Sequence, residues 1–510
     1  MSNDKNNVGI YSVGTESKLM VRHSFIYGIG SILDRSIAFL MLPIYTRFLT
    51  PADYGILELL AITTDILGML VSLRINRAMY RFYFEYEAQR DQNEVISTSF
   101  LMFGGIGLAG VALACFVSGS ISVAILDSVD YRVYFIINFV TLWLNTIVMM
   151  AFDYLQMLKK SAAYVALSAS KLFVGLLLVI YFIVILKKGV LGMLYGNLIS
   201  SSVFLIILMP PILFKVGVNV SKRKFLAILR YGLPLLPGSV ANYIVLVSDR
   251  YFVKMFGSLA DTGIYSLSYR FGLLPHSLVT IPFFNIWSVR RFELLKRVNA
   301  EELMGRIITY FFAILTFVGL GISILGKDVL LIMAHHEFWS AYRYIPILIL
   351  SYIIFGLFNH FAMGILISKK TEYMSYIDIA NGVMNVGLNI ILIKRFGIYG
   401  GAFATLISYT FRIAALFWVS NRFQKIYFEF GRATKILVSA ALLYWLSTFV
   451  SFNSIFLNII SKSLILMLYP LSLSVLRFYS AFEVEGLKTI VRKILRERSL
   501  KFVFTVNGDK

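Results

Sequence analysis

Residues 162–186 read AAYVALSASKLFVGLLLVIYFIVIL, and this stretch decides the fold. Its only charged residue is Lys171. A helix of about 20 apolar residues crosses the ~30 Å hydrocarbon core of a bilayer. Because lipid offers no hydrogen-bond partner to a peptide group, an apolar segment of this length has to form an α-helix. The stretch therefore predicts a transmembrane helix.

Comparable apolar runs follow one another from Phe25 to Leu476. Hydrophobic residues make up 58% of the 510 residues and charged residues 15%, whereas a soluble domain is about 45–50% apolar and about 25% charged. We therefore expect an all-α integral membrane protein with about fourteen transmembrane helices. The predicted spans are 25–48, 55–76, 96–118, 132–156, 162–186, 189–213, 229–254, 263–288, 305–326, 342–367, 373–393, 397–420, 433–451 and 454–477.

The net charge of +21 has two explanations, which are a nucleic-acid partner and the enrichment of cytoplasmic loops in Lys and Arg. If the N-terminus is cytoplasmic, roughly two thirds of the 48 Lys and Arg residues fall on the cytoplasmic side. The even number of spans then places both termini in the cytoplasm. The topology accounts for the charge, and no nucleic-acid partner is predicted.

Two motifs recur at an offset of 208 residues (48 to 256). Residues 48–56 read FLTPADYGI and residues 256–264 read FGSLADTGI, while GVLG at 189–192 matches GIYG at 397–400. The offset carries span 1 onto span 7 and span 6 onto span 12. Because six spans is an even number, the two halves share one orientation. Transporters built from such parallel halves usually hold their substrate between the halves and move one against the other.

The predicted organisation is two parallel six-helix repeats followed by two extra C-terminal helices. Its parts are a cytoplasmic N-terminus (1–24), an N-terminal six-helix bundle (25–214), a cytoplasmic linker (215–228), a C-terminal six-helix bundle (229–424), helices 13 and 14 (432–478) and a basic cytoplasmic tail (479–510).

Ionisable side chains within the predicted spans are costly to insert, at about 2.5 kcal/mol or more, so each one usually faces a cavity or a partner. A structural ion pair is the alternative to a functional role. Neighbours on a helix point ~100° apart, so we expect each adjacent Asp-Arg pair to bond other helices rather than itself. The basic candidates for substrate binding are Arg35, Lys171, Arg250, Arg270 and Arg412, and the acidic candidates for coupling or gating are Asp34, Asp65, Asp249 and Asp378.

Span 11 carries a polar stripe of Asp378, Asn381, Asn385 and Asn389. Steps of three and four residues place these side chains on one helix face. The stripe is typical of the wall of a hydrated cavity, in which Asn381 and Asn385 would contact substrate. The alternative is hydrogen bonding between packed helices.

Arginine at depth suits one chemistry above others, because its fork of donors binds phosphate in a bidentate manner. Basic groups on several helices thus suggest an anionic head group. His335, His336 and Glu337 are adjacent, but neighbouring histidines rarely share one ion, and no metal site is predicted. No nucleophile elbow, P-loop or H-E-x-x-H motif is present, and no enzymatic activity is predicted.

Four motifs carry a family resemblance. They are LPIYTRFLTPADYG at 42–55, YGLPLLPG at 231–238 with SDRY at 248–251, GIYS at 263–266 and GIYGGA at 397–402. They resemble the bacterial polysaccharide biosynthesis (Wzx-like) flippases of the multidrug/oligosaccharidyl-lipid/polysaccharide exporter superfamily. Arg250, with Asp249, is the site residue that carries over best. No basic cluster copies that of the lipid II flippases, so lipid II is not the expected substrate.

This resemblance implies two six-helix bundles around a cationic cleft, in the bacterial inner membrane. The implied function is movement of an undecaprenyl-diphosphate-linked oligosaccharide to the outer leaflet by alternating access, for O-antigen, lipopolysaccharide, capsule or another surface polysaccharide. The expected partners are the lipid-linked oligosaccharide and membrane lipids, with the polysaccharide polymerase and chain-length machinery as further candidates. No cofactor is expected, and the candidate energy sources are a Na⁺ gradient, a H⁺ gradient and the membrane potential.

Two other functions stay open. A cation-coupled multidrug exporter of the same superfamily would depend on the acidic residues at depth. A membrane-embedded glycan polymerase or glycosyltransferase would usually need a large external loop, and the longest one predicted, 327–341, has the length of an ordinary connection.

Overall fold

The computed structural model describes residues 41–72, 75–295, 299–480 and 483, and the regular elements in these residues are all helices. Short 3₁₀ segments at Leu233–Leu235 and His336–Arg343 and a π-helical turn at His276–Thr280 connect longer helices. The helices are α1 (Leu42–Phe48), α2 (Pro51–Ser72), α3 (Ile75–Glu85), α4 (Gln89–Phe116), α5 (Ser118–Leu126), α6 (Val129–Met157), α7 (Ser161–Ile185), α8 (Gly189–Val216), α9 (Lys222–Gly232), α10 (Leu236–Phe256), α11 (Leu259–Gly272), α12 (Ile281–Leu294), α13 (Ala300–Met333), α14 (Ile345–Ile367), α15 (Glu372–Phe396), α16 (Ile398–Phe423), α17 (Phe430–Thr448) and α18 (Ile455–Val475).

Ten helices within the described residues are long and apolar enough to cross a membrane, and each coincides with a predicted span. They are α2, α4, α6, α7, α8, α13, α14, α15, α16 and α18. The prediction of an all-α membrane protein is confirmed. Helices α10, α11 and α17 cover parts of the other predicted spans. The total of fourteen stays a prediction, because the predicted first span lies largely in residues 1–40, outside the described residues. Asp34, Arg35, the N-terminus 1–24 and most of the tail 479–510 lie outside them as well.

The chain divides into two compact units. The first unit comprises the described residues up to Leu267 together with Met333–Ala341 and Gly382–Ala404. The second comprises Ser268–Ile332, Tyr342–Asn381 and the described residues from Thr405 onward. The predicted bundles 25–214 and 229–424 stay a prediction.

Two apolar clusters belong to the core of the first unit. One surrounds Phe100, Val148 and Ile228, and the other surrounds Leu60 and Phe135, all of them almost fully buried. Helices α6 and α8 pack along each other and against α7. Burying large apolar side chains in this way contributes about 1.5–3 kcal/mol per residue in soluble cores, whereas in lipid the gain comes from close packing.

The repeated motifs have the same local structure in both copies. In the first, the backbone N–H and the hydroxyl of Thr50 donate to the Asp53 carboxylate at 3.0 and 2.8 Å. In the second, the Ser258 hydroxyl donates to the Asp261 carboxylate at 2.7 Å and accepts from the Asp261 N–H. Each pair caps the N-terminus of its helix, α2 or α11, by satisfying backbone donors that have no partner within the helix.

A second equivalence lies at the start of α8 and α16. Gly189 and Gly397, again 208 residues apart (189 to 397), have φ angles of +55° and +56°. Glycine adopts this left-handed conformation without the steric cost that a Cβ brings. The sequence match at these positions therefore reflects the same tight turn between two helices.

The two copies of the first motif also contact each other within the first unit. A methyl group on Gly55 would overlap the carbonyl oxygen of Leu259, and one on Gly263 would overlap the carbonyl oxygen of Pro51. Leu259 and Gly263 are the 208-residue counterparts of Pro51 and Gly55, so the contact is reciprocal. Reciprocal contacts are what a local two-fold axis produces.

Two polar clusters hold the second unit together at its added C-terminal helices. Lys462 of α18 and Asp328 of α13 form an ion pair of 2.6 Å, with only 7% and 1% of their side chains exposed. At the N-terminal end of α17, Arg432 pairs with Glu429 and Glu483 and stacks on Phe478. Burial opposes the charge of Glu483, but the hydrogen bonds from Arg432, Ser480 and Tyr310 together outweigh it and lower the pKa of this carboxyl to about 2.

We expect Gly55→Ala to destabilise the protein, because the added methyl group meets backbone rather than a flexible side chain. The loss should be of the order of 1–3 kcal/mol, seen as a lower midpoint in thermal unfolding of the detergent-solubilised protein. Gly105→Ala is the matched control, since no atom lies within 4 Å of a Cβ there, and should be neutral or slightly stabilising. Equal midpoints for the two variants would contradict the close approach.

Lys462→Met should cost about 3–5 kcal/mol, because it leaves the Asp328 carboxylate buried without its cation. The double variant Lys462→Met/Asp328→Leu removes both charges and should recover most of that loss. Both are measured as thermal midpoints. A double variant as unstable as the single one would mean that the pair is not buried as described.

Candidate functional site

A row of polar contacts joins α2 to α10 inside the first unit. The hydroxyls of Thr63 and Tyr251 are 2.9 Å apart, and the Tyr243 hydroxyl donates to the Asp65 carboxylate at 2.6 Å. We call this row, together with the arginine contacts described next, the polar seam; its members are Glu58, Thr63 and Asp65 of α2, Tyr243, Asp249, Arg250 and Tyr251 of α10, and Tyr265 of α11.

Arg250 is the buried cation of the polar seam, with 4% of the residue exposed. Its Nη1 lies 2.7 Å from Asp249 Oδ1 and 2.9 Å from the Leu246 carbonyl oxygen, and its Nε lies 3.8 Å from Glu58 Oε1. The Tyr265 hydroxyl donates to the other Asp249 oxygen at 2.6 Å. Arg250 is therefore held by its own helix, by α2 and, through Asp249, by α11.

This geometry corrects one expectation. Asp249 and Arg250 were expected to bond other helices rather than each other, and for this pair that prediction is wrong. The ~100° between adjacent positions separates only the Cα–Cβ directions. The long arginine side chain folds back along the helix, and in a low dielectric the nearest carboxylate is strongly preferred. Both residues nevertheless also bond a neighbouring helix, Arg250 through Glu58 and Asp249 through Tyr265.

The described residues of the polar seam carry more acidic than basic groups. The acidic members are Glu58, Asp65 and Asp249, and the basic member is Arg250. The sequence singled out Asp65 and Asp249 but missed Glu58. A spacing signal existed, because Glu58 and Asp65 are seven residues apart and so lie on one face of α2.

Lys171 occupies a separate polar node of the first unit. Its Nζ donates to the Asn145 side-chain oxygen at 2.9 Å, and the Ser201 hydroxyl donates to the same atom at 2.9 Å. The node links α7, α6 and α8. A hydrogen bond of this kind is the ordinary way for packed membrane helices to satisfy a polar side chain.

The second unit contains the remaining basic candidates. Arg412 of α16 bonds Asp378 Oδ1 through Nη2 at 2.7 Å and Nε at 2.9 Å, and its guanidinium lies 4.4 Å from the ring centre of Phe358. The Arg412 side chain is 12% exposed and that of Asp378 is 40% exposed. Arg270 is exposed and lies in the last turn of α11.

The asparagines of α15 are buried. Asn381, Asn385 and Asn389 are 2%, 4% and 0% exposed, and Asn389 donates to the side-chain oxygen of Asn385 at 3.1 Å. Within the described part of the chain, the side-chain oxygens of Asn381 and Asn389 accept no hydrogen bond. A buried acceptor without a hydrogen bond carries a desolvation cost of about 1–3 kcal/mol. The stripe therefore contains more polar groups than helix packing alone requires. Its role as a cavity wall stays a prediction.

Asp328 and Lys462 are two further buried charged residues that the sequence did not single out. Asp328 was placed in an external loop, 327–341, whereas α13 continues to Met333 and buries it. His335, His336 and Glu337 follow directly, and one ligand atom of each lies within 4.8 Å of the others. His336 and Glu337 are exposed, and the absence of a metal site stays a prediction.

The described residues contain ten membrane-length helices, no strands, and ion pairs buried among the helices, so the chain is a multi-pass membrane protein. The family model described as polysaccharide biosynthesis protein matches residues 20–285, more than half of the chain. The chain therefore belongs to the polysaccharide biosynthesis protein family, which confirms the resemblance seen in the sequence. The matched segment contains the whole polar seam. No curated protein matches the sequence.

Several solved structures are similar in fold to this chain. The lipid II flippase MurJ, in an inward closed conformation, has a TM-score of 0.71 at 15% identity, over 88% of this chain and 98% of that one. An inward-facing multidrug resistance MATE family transporter of the MOP superfamily has 0.60 at 14% identity, over 79% and 96%. A MOP superfamily transporter from Pyrococcus furiosus has 0.53 at 17% identity, over 82% and 96%. These likenesses establish the fold.

Arg250→Met should destabilise the protein by about 3–5 kcal/mol, because Asp249 then remains buried without its cation. Arg306→Met is the matched control. Its partner Glu302 and Arg306 itself are both about half exposed, so that pair is worth at most about 1 kcal/mol. Thermal unfolding in detergent measures both. If Arg306→Met lost as much stability as Arg250→Met, the buried Arg250–Asp249 pair would contribute no more stability than an exposed pair.

Proposed function

We propose that this protein is a flippase, which moves an undecaprenyl-diphosphate-linked oligosaccharide from the cytoplasmic to the outer leaflet of the bacterial inner membrane. The observation that carries the proposal is Arg250, an arginine that is buried within the protein and lies in a predicted span and in the segment that the family model matches. The surface polysaccharide that receives the oligosaccharide would be an O-antigen, a capsule or a related glycan. A polymerase and chain-length machinery would act on the product.

Arg250 suits a diphosphate because its contact with Glu58 is long. Asp249 takes one guanidinium nitrogen at hydrogen-bond length, whereas Glu58 lies 3.8 Å from Nε, beyond the range of a hydrogen bond. A phosphate group offers several acceptors to the same fork of donors. In the proposed mechanism the diphosphate replaces Glu58 at Arg250.

The exchange would loosen a contact between the two predicted repeats. Glu58 belongs to α2 of the first repeat and Arg250 to α10 of the second. A substrate that binds Arg250 in place of Glu58 removes one attraction between α2 and α10. The binding energy of the substrate would then favour movement of one repeat against the other, as in other transporters built from repeats. The glycine contact between α2 and α11 would open in the same step.

The displaced carboxylate gives a route for energy coupling. Glu58 without Arg250 as its partner would favour the binding of another cation. Substrate binding and ion binding would then be linked through Arg250. Arg35, Arg270, Arg412 and Lys171 remain proposed substrate contacts, and Asp34, Asp65 and Asp378 remain proposed coupling residues. The supporting argument for these is their predicted depth in the membrane.

A cation-coupled multidrug exporter is the second candidate. The excess of carboxylates over cations among the described residues of the polar seam favours it, because cationic drugs are recognised by acidic groups. The likeness to a multidrug resistance MATE family transporter concerns the same fold. A buried arginine next to these carboxylates argues for the flippase, since it repels a cationic substrate.

The decisive experiment compares transport of both substrates. A labelled undecaprenyl-diphosphate-linked oligosaccharide is reconstituted with the protein in liposomes, and its movement between leaflets is followed by quenching from outside. We expect Arg250→Gln to lower the rate at least tenfold, equivalent to about 1.4 kcal/mol or more, while Arg306→Gln has the wild-type rate. Glu58→Gln should keep substrate binding but lose the dependence on an ion gradient.

A deletion strain tests the same proposal in cells. Loss of surface polysaccharide with unchanged susceptibility to cationic drugs is the expected result. Normal polysaccharide together with increased drug susceptibility would replace the flippase by the exporter. Normal flipping by well-folded Arg250→Gln protein would leave the function intact and overturn the assigned site.

A further inference from the structure

Residues 214–233 of the first unit form an exposed surface at the end of α8. This stretch contains five Lys and Arg residues and no Asp or Glu. Among its exposed apolar residues, Phe214 is 95% exposed, Val218 68% and Leu233 51%. We call the exposed residues here the linker surface: they are the apolar Phe214, Val218, Val220, Leu226 and Leu233 and the basic Lys215, Lys222, Arg223 and Arg230.

The opposite face of α9 is fully occupied, which fixes the rotation of the helix. Ile228 is 1% exposed in the core of the first unit, and the Phe225 ring packs against Phe103 at 5.2 Å between centres. At the start of α9, the Ser221 hydroxyl accepts from the backbone N–H of Lys224 as a helix cap. These contacts leave the linker surface facing away from the protein.

Lys224 lies in the same helix, and its charge is compensated within the protein. It is 7% exposed, and its Nζ lies 2.8 Å from Asp91 and 2.6 Å from Glu94. Burial opposes its charge, but the hydrogen bonds that Nζ donates to these two carboxylates, together with their negative charges, outweigh that effect and raise the pKa of Lys224 above its ordinary value. The inward lysine is thus satisfied by the protein itself.

The exposed basic residues of the linker surface differ from Lys224 in having no acidic partner among the described residues. Lys222, Arg223 and Arg230 are exposed, and no carboxylate in the described part of the chain lies within ion-pair distance of them. Leu226 lies between them on the same face, four residues from Lys222 and from Arg230. Positive charge interleaved with exposed leucine, valine and phenylalanine is the pattern of a helix that lies in a membrane interface.

We propose that the linker surface binds the anionic phospholipid head groups of the adjoining leaflet, with Phe214, Leu226 and Leu233 entering the acyl boundary. The chain itself argues for a membrane over a soluble acidic partner. The linker surface starts on the last turn of α8, a helix of membrane length, and so begins at the bilayer surface. The distribution of basic residues predicts that this is the cytoplasmic leaflet, where anionic lipid attracts Lys and Arg.

The test places a nitroxide on the linker surface and measures its depth. Leu226→Cys is labelled in a Cys115→Ala background, since Cys115 is the single cysteine. The full-length protein is put into nanodiscs of phosphatidylcholine with and without phosphatidylglycerol, and accessibility to oxygen is compared with accessibility to a water-soluble nickel chelate. We expect oxygen to dominate, and more so with phosphatidylglycerol.

The second part of the experiment removes positive charges from the linker surface. Lys222→Gln/Arg223→Gln/Arg230→Gln should abolish the response to phosphatidylglycerol, since each basic residue near an anionic leaflet contributes roughly a fivefold factor to association. The control Lys187→Gln/Lys188→Gln/Lys394→Gln removes three exposed charges of the same unit on the predicted opposite side, and should leave the response unchanged. Gel filtration and thermal unfolding verify that each variant is folded.

Two results would overturn the proposal. One is a nickel-accessible label in both lipid mixtures, which means that the helix is solvated and the surface serves a soluble partner. The other is an equal loss of the phosphatidylglycerol response in the control, which means that only net charge matters. Neither result depends on the flippase assignment, because no transport is measured.

Discussion

Charge compensation in a medium without water is the constraint on which the rest of this structure depends. Lipid cannot solvate an ion, so every ionised side chain at depth needs a partner within the protein. Arg250 with Asp249 and Lys462 with Asp328 meet this need with pairs of 2.7 and 2.6 Å. Because each buried pair also contacts a second helix or joins two, charge compensation fixes helix positions as well as charges.

Close backbone approach is the second determinant, and it depends on residues without a Cβ. Gly55 and Gly263 let α2 and α11 approach each other, and the reciprocal contact follows from a repeat in which Pro51 and Leu259 are also equivalent. Small residues are the usual means by which membrane helices approach, since lipid gives no hydrophobic drive for association. The polar seam lies along the same α2 helix, so steric fit and ion pairing act on one helix.

The sequence predicted what depends on local pattern. Membrane-length helices follow from apolar runs, and both the capping boxes and the left-handed glycines 189 and 397 lie where the 208-residue match placed the repeat. Which charged side chains pair with each other was not predictable in the same way. The pairing of Arg250 with its neighbour depends on how an arginine side chain folds in a low dielectric, and Asp328 was missed because α13 extends further than its hydropathy indicated.

Ion pairing and steric contact also differ in how they could be reversed. A glycine contact is lost by separation alone, whereas an ion pair at depth can only be given up if another charge takes its place. Glu58 and Arg250 are 3.8 Å apart, so this contact is longer than the 2.7 Å contact between Arg250 and Asp249. In the proposed mechanism a substrate phosphate is that replacement charge. Movement without substrate would separate Arg250 from Glu58 with no charge to replace that contact, and this cost is what would couple opening of the α2–α11 contact to the presence of a diphosphate.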